Sequence, residues 1–292
     1  MPRVAKKYAP GRRSLAIAAA VMLCAVSTLV GAQEVGAPED ATNEPEESTM
    51  SAARANAFDH APWTAVLSKF VDDRGLVDYE GLSRDRAVFD RYIRSIEAVS
   101  PASHPQRFPT TNDSLAYYLN AYNAHVFDGV LDRGPEKKSV WRGLISGLNF
   151  FVRLKIEVGG RTTNLKKLEE NVILKTFKDP RVHAALNCAS IGCPRLPQEA
   201  FLPDRLDEQL DAAMREWAND PRHVEVDAAA RNVGLNKIFD WFEGDFLGYE
   251  KRQGTADPTQ IDYINRFRDA DRQIPRDFSI SFLPYDKGIN DQ

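Results

Sequence analysis

Helical and extended patterns follow one another in irregular order from about Phe58 to Tyr285, and this order limits the possible folds more than any other feature. The patterns do not repeat as strand, helix, strand, which argues against a regular parallel α/β fold. No glycine-, serine- or proline-rich break divides these roughly 230 residues, which are enough for one sizeable core. We therefore predict the α+β class, with a single domain whose helices pack on a small, mostly antiparallel sheet.

Two periodicities define the predicted elements. Apolar residues three and four positions apart predict helices, whereas alternation or a short apolar run predicts a strand. The predicted helices are residues 62–71, 86–99, 115–132, 165–174, 204–217, 238–246 and 258–267. The predicted strands are residues 150–158, 182–186, 224–226, 232–235 and 278–283. We expect the longest helix to be capped by Asp113 or Ser114 and to end at Gly134.

The N-terminus has the pattern of a signal peptide. Basic residues precede an uncharged run from 15 to 30, and Val30, Gly31 and Ala32 follow as a cleavage sequence. The run is shorter than the about 20 residues that a membrane span needs. We therefore predict a signal peptide at residues 1–32, a periplasmic or secreted protein, and no stable membrane insertion after cleavage. Residues 33–56, acidic and poor in large apolar side chains, are predicted to be a disordered linker before a globular domain at residues 57–292.

The charge balance argues against some classes of partner. Residues 1–32 carry five of the 38 basic residues and none of the 42 acidic ones, so the remaining chain has a net charge of −9. Nucleic acids and anionic membrane surfaces attract basic patches rather than acidic proteins. We therefore expect no nucleic-acid partner, and an unidentified small molecule or peptide is the predicted ligand.

The segment 181–194 concentrates reactive side chains around the end of the predicted strand 182–186. It contains His183, Asn187, Cys188, Ser190 and Cys193. Three interpretations remain open. The two cysteines form a disulfide, as an oxidising compartment favours; Cys188 is a nucleophile activated by a histidine; or His183 and both cysteines bind a metal. Structural zinc sites use four ligands, so we predict no metal and no cofactor.

The nucleophile hypothesis assigns further roles in the same segment. His183 is the first candidate base and His125 the second, while Asn187 or Ser190 would donate to an oxyanion. His183 and Cys188 are five residues apart, an odd separation. In a regular strand they would therefore lie on opposite faces, which is the main objection to this pairing.

The predicted helix at 115–132 contains more polar side chains than a buried helix usually has. Asn120 and Asn123 are three positions apart and therefore share one side of the helix, near Tyr117 and Tyr122. Asparagine is a mediocre helix former, so its presence in a buried helix indicates hydrogen bonding to something specific. The two asparagines either hold nearby loop backbone or line a pocket and orient a substrate or a catalytic group.

Other paired residues are interpreted without a functional role. Glu169 and Glu170 are predicted to form a solvated face rather than a pair of glycosidase acids. Trp241 and Phe242 are predicted to be core residues at helical spacing rather than a platform for sugar.

Several motifs in order carry a family resemblance. They are Gly75-Leu76-Val77-Asp78-Tyr79, Leu119-Asn120-Ala121-Tyr122-Asn123-Ala124, Asp179-Pro180-Arg181-Val182-His183 with Asn187-Cys188-Ala189-Ser190 and Cys193-Pro194, Leu235-Asn236-Lys237-Ile238-Phe239 with Trp241-Phe242, and Tyr285-Asp286. Together they resemble the domain-of-unknown-function family five-forty-seven. The family pattern has a tryptophan where this chain has Lys287. The resemblance implies one domain over most of residues 58–290 and no particular reaction. It also leads us to expect that the polar helix and the cysteine segment face one another.

Two functions from different classes follow from these residues. The first is a hydrolase or acyl-transfer enzyme with Cys188 as nucleophile, His183 as base, and Asn120 or Asn123 as the orienting amide. The second is a non-catalytic binding or assembly module in which a Cys188–Cys193 disulfide shapes the ligand site. In both, the predicted binding residues are Tyr117, Tyr122, Asn187, Ser190 and Asp286.

Overall fold

The structure, a computed structural model, describes residues 56–134, 138–141 and 148–292. The predicted signal peptide and, apart from residue 56, the predicted linker lie outside these ranges and stay predictions. The described residues belong to one compact unit. None of the helices in these ranges combines the length and the apolarity that crossing a membrane requires.

Helices make up most of the regular structure, in agreement with the α+β prediction. Short 3-10 turns occur at Pro105–Arg107 and Ala270–Arg272, and a π-helix spans Leu168–Leu174. The α-helices are α1 (Ala61–Phe70), α2 (Tyr79–Arg84), α3 (Ala87–Ala98), α4 (Thr111–Arg133), α5 (Leu148–Arg153), α6 (Leu165–Lys167), α7 (Lys175–Phe177), α8 (Val182–Ala185), α9 (Leu206–Asn219), α10 (Ile238–Trp241), α11 (Glu243–Arg252) and α12 (Gln260–Asn265).

Within the ranges that the structure describes, the strands form two small sheets where one was predicted. The first is a hairpin of β1 (Ile156–Val158) and β2 (Arg161–Thr163), which turns at two glycines of positive φ, Gly159 and Gly160. The second contains β3 (Val224–Asp227), β4 (Asn232–Leu235) and β5 (Ser279–Phe282) in that order. Strands β3 and β4 are antiparallel, with Val224 opposite Leu235, whereas β4 and β5 are parallel. The predicted strands at 224–226, 232–235 and 278–283 are therefore confirmed.

Helix α4 is buried on nearly all sides and forms the centre of the larger hydrophobic cluster. Its cap differs from the prediction. Thr110 accepts the N–H of Asp113, and the Asp113 carboxylate accepts the N–H of Thr110, a capping box. Sequence reasoning placed the cap at Asp113 or Ser114 because it took Leu115, the first apolar residue, as the start. The predicted end is confirmed at Gly134, where φ is 93°.

The predicted strand at 182–186 is wrong, because residues Val182–Ala185 form the short helix α8. The side chain of Asp179 accepts the N–H of Arg181 at 2.9 Å, and the N–H of His183 donates to the Pro180 carbonyl at 3.1 Å. These bonds start a helical turn before the apolar run begins. A five-residue apolar run fits a buried strand or a buried helix equally well, and periodicity cannot separate them.

Two other boundaries differ from the prediction. Residues 150–158 were predicted to be extended, but α5 occupies the first part and only Ile156–Val158 is a strand. Residues 238–246 were predicted to be one helix, but the helical structure breaks at Phe242 between α10 and α11. This break places Trp241 at the surface, with 44% of its side chain exposed.

Candidate functional site

A cavity of about 350 Å³ opens where the two hydrophobic clusters of the domain meet. The larger cluster contains Tyr122 of α4, and the smaller one contains Ile238 and surrounds the three-stranded sheet. Six aromatic side chains contribute to the wall, together with both cysteines and several charged groups. The lining residues are Tyr122, Trp141, Phe151, Lys166, Glu169, Glu170, His183, Leu186, Cys188, Cys193, Ile238, Trp241, Phe242 and Tyr285.

The two cysteines form a close pair in this wall. Their Sγ atoms lie 2.7 Å apart, and both are free thiols in the structure. The Tyr285 hydroxyl lies 3.0 Å from Cys188 Sγ and 3.2 Å from Cys193 Sγ. The Cys193 sulfur also accepts the backbone N–H of Cys188 at 3.1 Å. The two thiols therefore contact each other, and the Tyr285 hydroxyl contacts both of them.

The pKa values of the two thiols move in opposite directions. Burial and the contact with Cys193 raise the pKa of Cys188 well above its ordinary value. Burial also acts to raise the pKa of Cys193, but the hydrogen bonds that its sulfur accepts from Cys188 and Tyr285 outweigh burial and lower it. Cys193 is buried, whereas Cys188 is half-buried. The sulfur that is more open to the cavity is therefore the less readily ionised one.

Asn187 gives the cysteine loop its shape. Its side chain donates to the Pro194 carbonyl at 3.2 Å and accepts the N–H of Ala189 at 2.9 Å. Ala189 adopts a positive φ of 57°, a conformation that a non-glycine residue adopts only where its surroundings impose it. A side chain at Gly192 would come within 2.9 Å of the Tyr285 ring, so the close approach of Tyr285 to the loop requires glycine there.

Asn123 connects the polar helix to the cysteine loop, which confirms that the two segments face one another. Its Nδ2 donates to the Ala185 carbonyl at 2.9 Å, and its Oδ1 accepts the N–H of Asn187 at 2.9 Å. All three residues are buried. Asn123 therefore acts on the site through the backbone that carries Cys188, and it does not line the cavity itself.

His183 lies in the same cavity wall as Cys188. The predicted objection, that the two residues lie on opposite faces of a strand, disappears because α8 is helical. The Nε2 of His183 lies 3.0 Å from Asp245 Oδ2, and its ring packs 4.3 Å from the Phe242 ring centroid. Burial lowers the pKa of His183, although Asp245 opposes this effect. Among the described residues, no hydrogen bond joins His183 to Cys188.

Three predicted residues of α4 lie away from the cavity. Asn120 donates to the Phe201 carbonyl at 2.8 Å and accepts the Phe201 N–H at 3.0 Å. Tyr117 donates to the Ile96 carbonyl at 3.0 Å. His125 contacts the Glu157 carbonyl at 3.1 Å, and burial lowers its pKa to about 4. The structure therefore does not bring Asn120, Tyr117 or His125 together with Cys188.

Ser190 and Asp286 support the site from outside the cavity. The Ser190 hydroxyl accepts the indole N–H of Trp141 at 2.6 Å and so orients one aromatic wall. The Asp286 side chain accepts the N–H of Gly288 at 2.8 Å, while its backbone carbonyl accepts the N–H of Gly192 at 2.9 Å. Asp286 is exposed, and its contribution is to fix the cysteine loop through its main chain.

Sequence reasoning missed the acidic group of the cavity. Glu169 is half-buried, and the Tyr122 hydroxyl donates to its Oε2 at 3.1 Å. Burial raises the pKa of Glu169 to about 7. The predicted solvated face applies to Glu170, which is exposed and pairs with Lys166. Glu169 lies in the π-helical stretch, a local geometry that is frequent at functional sites and leaves no clear trace in the sequence.

Aromatic wall residues were missed for a different reason. Trp241 was predicted to be core, yet 44% of it is exposed at the cavity. Trp141 and Tyr285 contact Trp241 from segments about 100 and 44 positions away, and no local pattern predicts such contacts. The Tyr285-Asp286 motif indicated that Tyr285 has a role, but no local pattern places its side chain beside the cysteines.

A metal centre finds no support in this arrangement. Within the described ranges, no group of three or more histidine, cysteine, aspartate or glutamate side chains is placed to hold a metal ion. The Nε2 of His183 faces Asp245 rather than the two sulfurs. The three residues of the metal hypothesis therefore do not converge on one point.

Comparison with curated proteins and comparison with solved structures found no match. A family model described as "Protein of unknown function, DUF547" matches residues 106–218. The matched segment contains α4, Glu169, His183 and both cysteines, whereas Trp241 and Tyr285 lie beyond it. Over residues 106–218 the chain is therefore similar to the DUF547 family.

Proposed function

We propose that this protein is an exported binding module that takes a small organic molecule into the aromatic cavity. In this proposal Cys188 and Cys193 form a disulfide in the wall of the cavity, which fixes the shape of the loop between them. The observation that carries the proposal is the pairing of the two sulfurs, 2.7 Å apart, with each other and with Tyr285.

The pKa and the contacts of Cys188 argue against an activated nucleophile. A cysteine nucleophile needs a lowered pKa and a base within hydrogen-bond reach. The pKa of Cys188 is raised instead, and its polar neighbours are Cys193, Tyr285 and Ser190, none of which is a histidine. These contacts favour a structural role for the pair.

Oxidation of the pair needs little rearrangement. The bonded sulfurs of a disulfide lie about 2.0 Å apart, and the two thiols already touch. In exchange with a disulfide-bearing oxidant, the two thiols lose two protons and two electrons, one S–S bond forms, and the oxidant is reduced to its dithiol. An oxidising export compartment supplies this class of oxidant.

The cavity has the character of a site for a small ligand. Its volume of about 350 Å³ lies within the usual range for such sites, which are lined by aromatic groups with a few polar ones. Trp241 presents an exposed ring at the opening, and Glu169 and Tyr122 offer polar groups inside. An apolar ligand body with one polar group fits this combination.

A fragment screen monitored by tryptophan fluorescence tests the proposal. We expect fragments that bind the wild-type protein to lose at least about tenfold in affinity in Trp241→Ala, since a stacking wall is removed. Val226→Ala is the matched control, because Val226 is also an exposed apolar side chain but lies on β3, outside the cavity. Equal loss in both variants, or no fragment sensitive to Trp241, would contradict the proposal.

A cysteine-dependent hydrolase is the second candidate, and one observation favours it. His183 is oriented by Asp245 and lines the same cavity as Cys188. The Cys188 thiolate would attack an ester or amide carbonyl, and His183 would pass the thiol proton to the leaving alcohol or amine. Water would then cleave the thioester to a carboxylic acid and return the proton to the thiol.

Paired alanine variants separate the two candidates. An enzyme loses turnover in Cys188→Ala while its thermal stability stays near the wild-type value. A structural pair loses similar stability in Cys188→Ala and Cys193→Ala, about 2 kcal/mol for closing so short a loop. Equal destabilisation by the two substitutions, without loss of any hydrolysis, supports the binding module.

A further inference from the structure

The charged groups of the cavity favour a positively charged ligand. The lining contains two carboxyl groups, Glu169 and Glu170, and one ammonium group, Lys166. Lys166 pairs with Glu170. Within the described ranges Glu169 forms no direct ion pair, and its side-chain hydrogen bond comes from Tyr122, although the Lys166 ammonium is near enough to favour its ionised form. Among the described residues, the inner carboxyl group of the cavity therefore has no cation in direct contact with it.

The aromatic wall favours the same sign of charge. Trp141, Trp241 and Tyr285 form an aromatic cluster, with the rings of Trp241 and Tyr285 4.9 Å apart and that of Trp141 6.0 Å from Tyr285. The faces of aromatic rings are negative and attract cations within about 6 Å. The chain itself uses this attraction, because the Lys287 ammonium lies 5.2 Å from the centre of the Trp141 ring. Lys287 does not line the cavity.

The burial of Glu169 and the charges around it indicate which charge a bound ligand should carry. Burial disfavours the ionised form of Glu169, and so do the nearby carboxylates of Glu170 and Asp245, whereas Lys166 and the Tyr122 hydrogen bond oppose these effects. A ligand cation beside Glu169 would favour its carboxylate form and offset this repulsion. An anionic ligand would meet the same carboxylates and be repelled. A neutral ligand would leave the Glu169 carboxyl without a charge partner.

We propose that the ligand carries an organic ammonium group, which binds between the aromatic cluster and the Glu169 carboxylate. This inference rests on the proposed binding function and names the class of molecule that the cavity takes. The aromatic rings contact the alkyl groups around the nitrogen, and Glu169 supplies the opposite charge. The remainder of the ligand lies along the apolar wall at Leu186 and Ile238.

A matched pair of probes tests the charge directly. Choline and dimethylbutanol, its uncharged isostere with carbon in place of the ammonium nitrogen, have nearly the same shape. We expect choline to perturb the tryptophan fluorescence of the wild-type protein with at least about tenfold higher affinity than the isostere. Glu169→Gln, which keeps the shape of the side chain, reduces this preference to about threefold or less.

Controls separate failure of this inference from failure of the binding function. Glu208→Gln removes the same charge from an exposed position outside the cavity, where the Glu208 side chain is 76% exposed, and keeps the full preference. Equal affinity for the two probes overturns the ammonium inference and leaves the binding function intact. If the protein does not bind choline but still binds neutral fragments at Trp241, the ammonium inference is likewise overturned and the binding function stands. Absence of all binding at Trp241 overturns both.

Discussion

The side chain of Asn123 accepts the backbone N–H of Asn187 at 2.9 Å, and this bond joins the central helix to the loop that carries both cysteines. Asn123→Ala leaves two buried groups unpaired, the Asn187 N–H and the Ala185 carbonyl. Each unpaired group costs about 1–3 kcal/mol, so we expect the free energy of unfolding to fall by about 2–6 kcal/mol. Chemical denaturation measures this change.

A second asparagine on the same helix provides the control. Asn112 forms one hydrogen bond, to Asp207 at 3.3 Å near the surface. We expect Asn112→Ala to change the unfolding free energy by less than about 0.5 kcal/mol. If the two variants lose the same stability, Asn123 does not hold the cysteine loop.

Ser190 should affect ligand binding more than stability. Its hydroxyl accepts the indole N–H of Trp141, and Ser190→Ala removes the bond that orients this wall of the cavity. We expect the affinity for cavity fragments to fall about threefold to tenfold, in line with the loss of one hydrogen bond. Fluorescence titration measures it. Ser281→Ala is the control, because the Ser281 hydroxyl donates to Asn232 on the three-stranded sheet, outside the cavity. Unchanged affinity in Ser190→Ala would contradict the role given to Trp141.

Glu169 should make the stability of the ligand-free protein depend on pH. Burial raises its pKa from the ordinary value of 4.5 to about 7, so the folded state holds the proton more tightly than the unfolded state. The contribution is therefore fully present below about pH 4.5 and is lost as pH rises through about 7. Because the side chain is half-buried, solvent screens the effect to on the order of 1 kcal/mol.

The Glu169→Gln variant isolates this contribution. Denaturation at pH 5 and pH 8 should show that the variant gains stability relative to the wild type at the higher pH. The groups that face Glu169 are Tyr122, Lys166, Glu170 and Asp245, and all four are unchanged in the variant. A constant difference between the two proteins at both pH values would exclude Glu169 as the titrating group.

The affinity for a cationic ligand should rise as pH rises, whereas the stability of the ligand-free protein should fall. A cation binds the ionised carboxylate, so choline should bind more tightly at pH 8 than at pH 5 in the wild-type protein. Glu169→Gln should show no such increase. An equal increase in the variant would assign the effect to another group.

Features determined by local sequence were predictable, whereas features that depend on distant contacts were not. The long apolar pattern of α4 and the stop at Gly134 predicted that helix, and the two polar segments meet at Asn123 as expected. At 182–186 an apolar run of five residues fitted either a strand or a helix, and the bonds of Asp179 and Pro180 decided for a helix. No pattern near residue 182 contains that information.

The different surroundings of the two acidic residues of the cavity could not be predicted from the sequence either. Glu169 and Glu170 are adjacent and identical in sequence, yet one is half-buried against Tyr122 and the other is exposed beside Lys166. Tertiary packing makes this distinction. The order of the motifs indicated that Tyr285 belongs with the cysteine segment, but its position against both sulfurs required the fold of the whole domain.

The central claim is that Cys188 and Cys193 are a structural pair in the wall of a ligand cavity. The most direct test is alkylation of the protein purified without reductant, followed by mass spectrometry of the peptides that contain each cysteine. The account predicts no adduct on either residue before reduction and one on each afterwards. Rapid alkylation of Cys188 alone, without reductant and at mildly acidic pH, would contradict the account and establish an activated nucleophile.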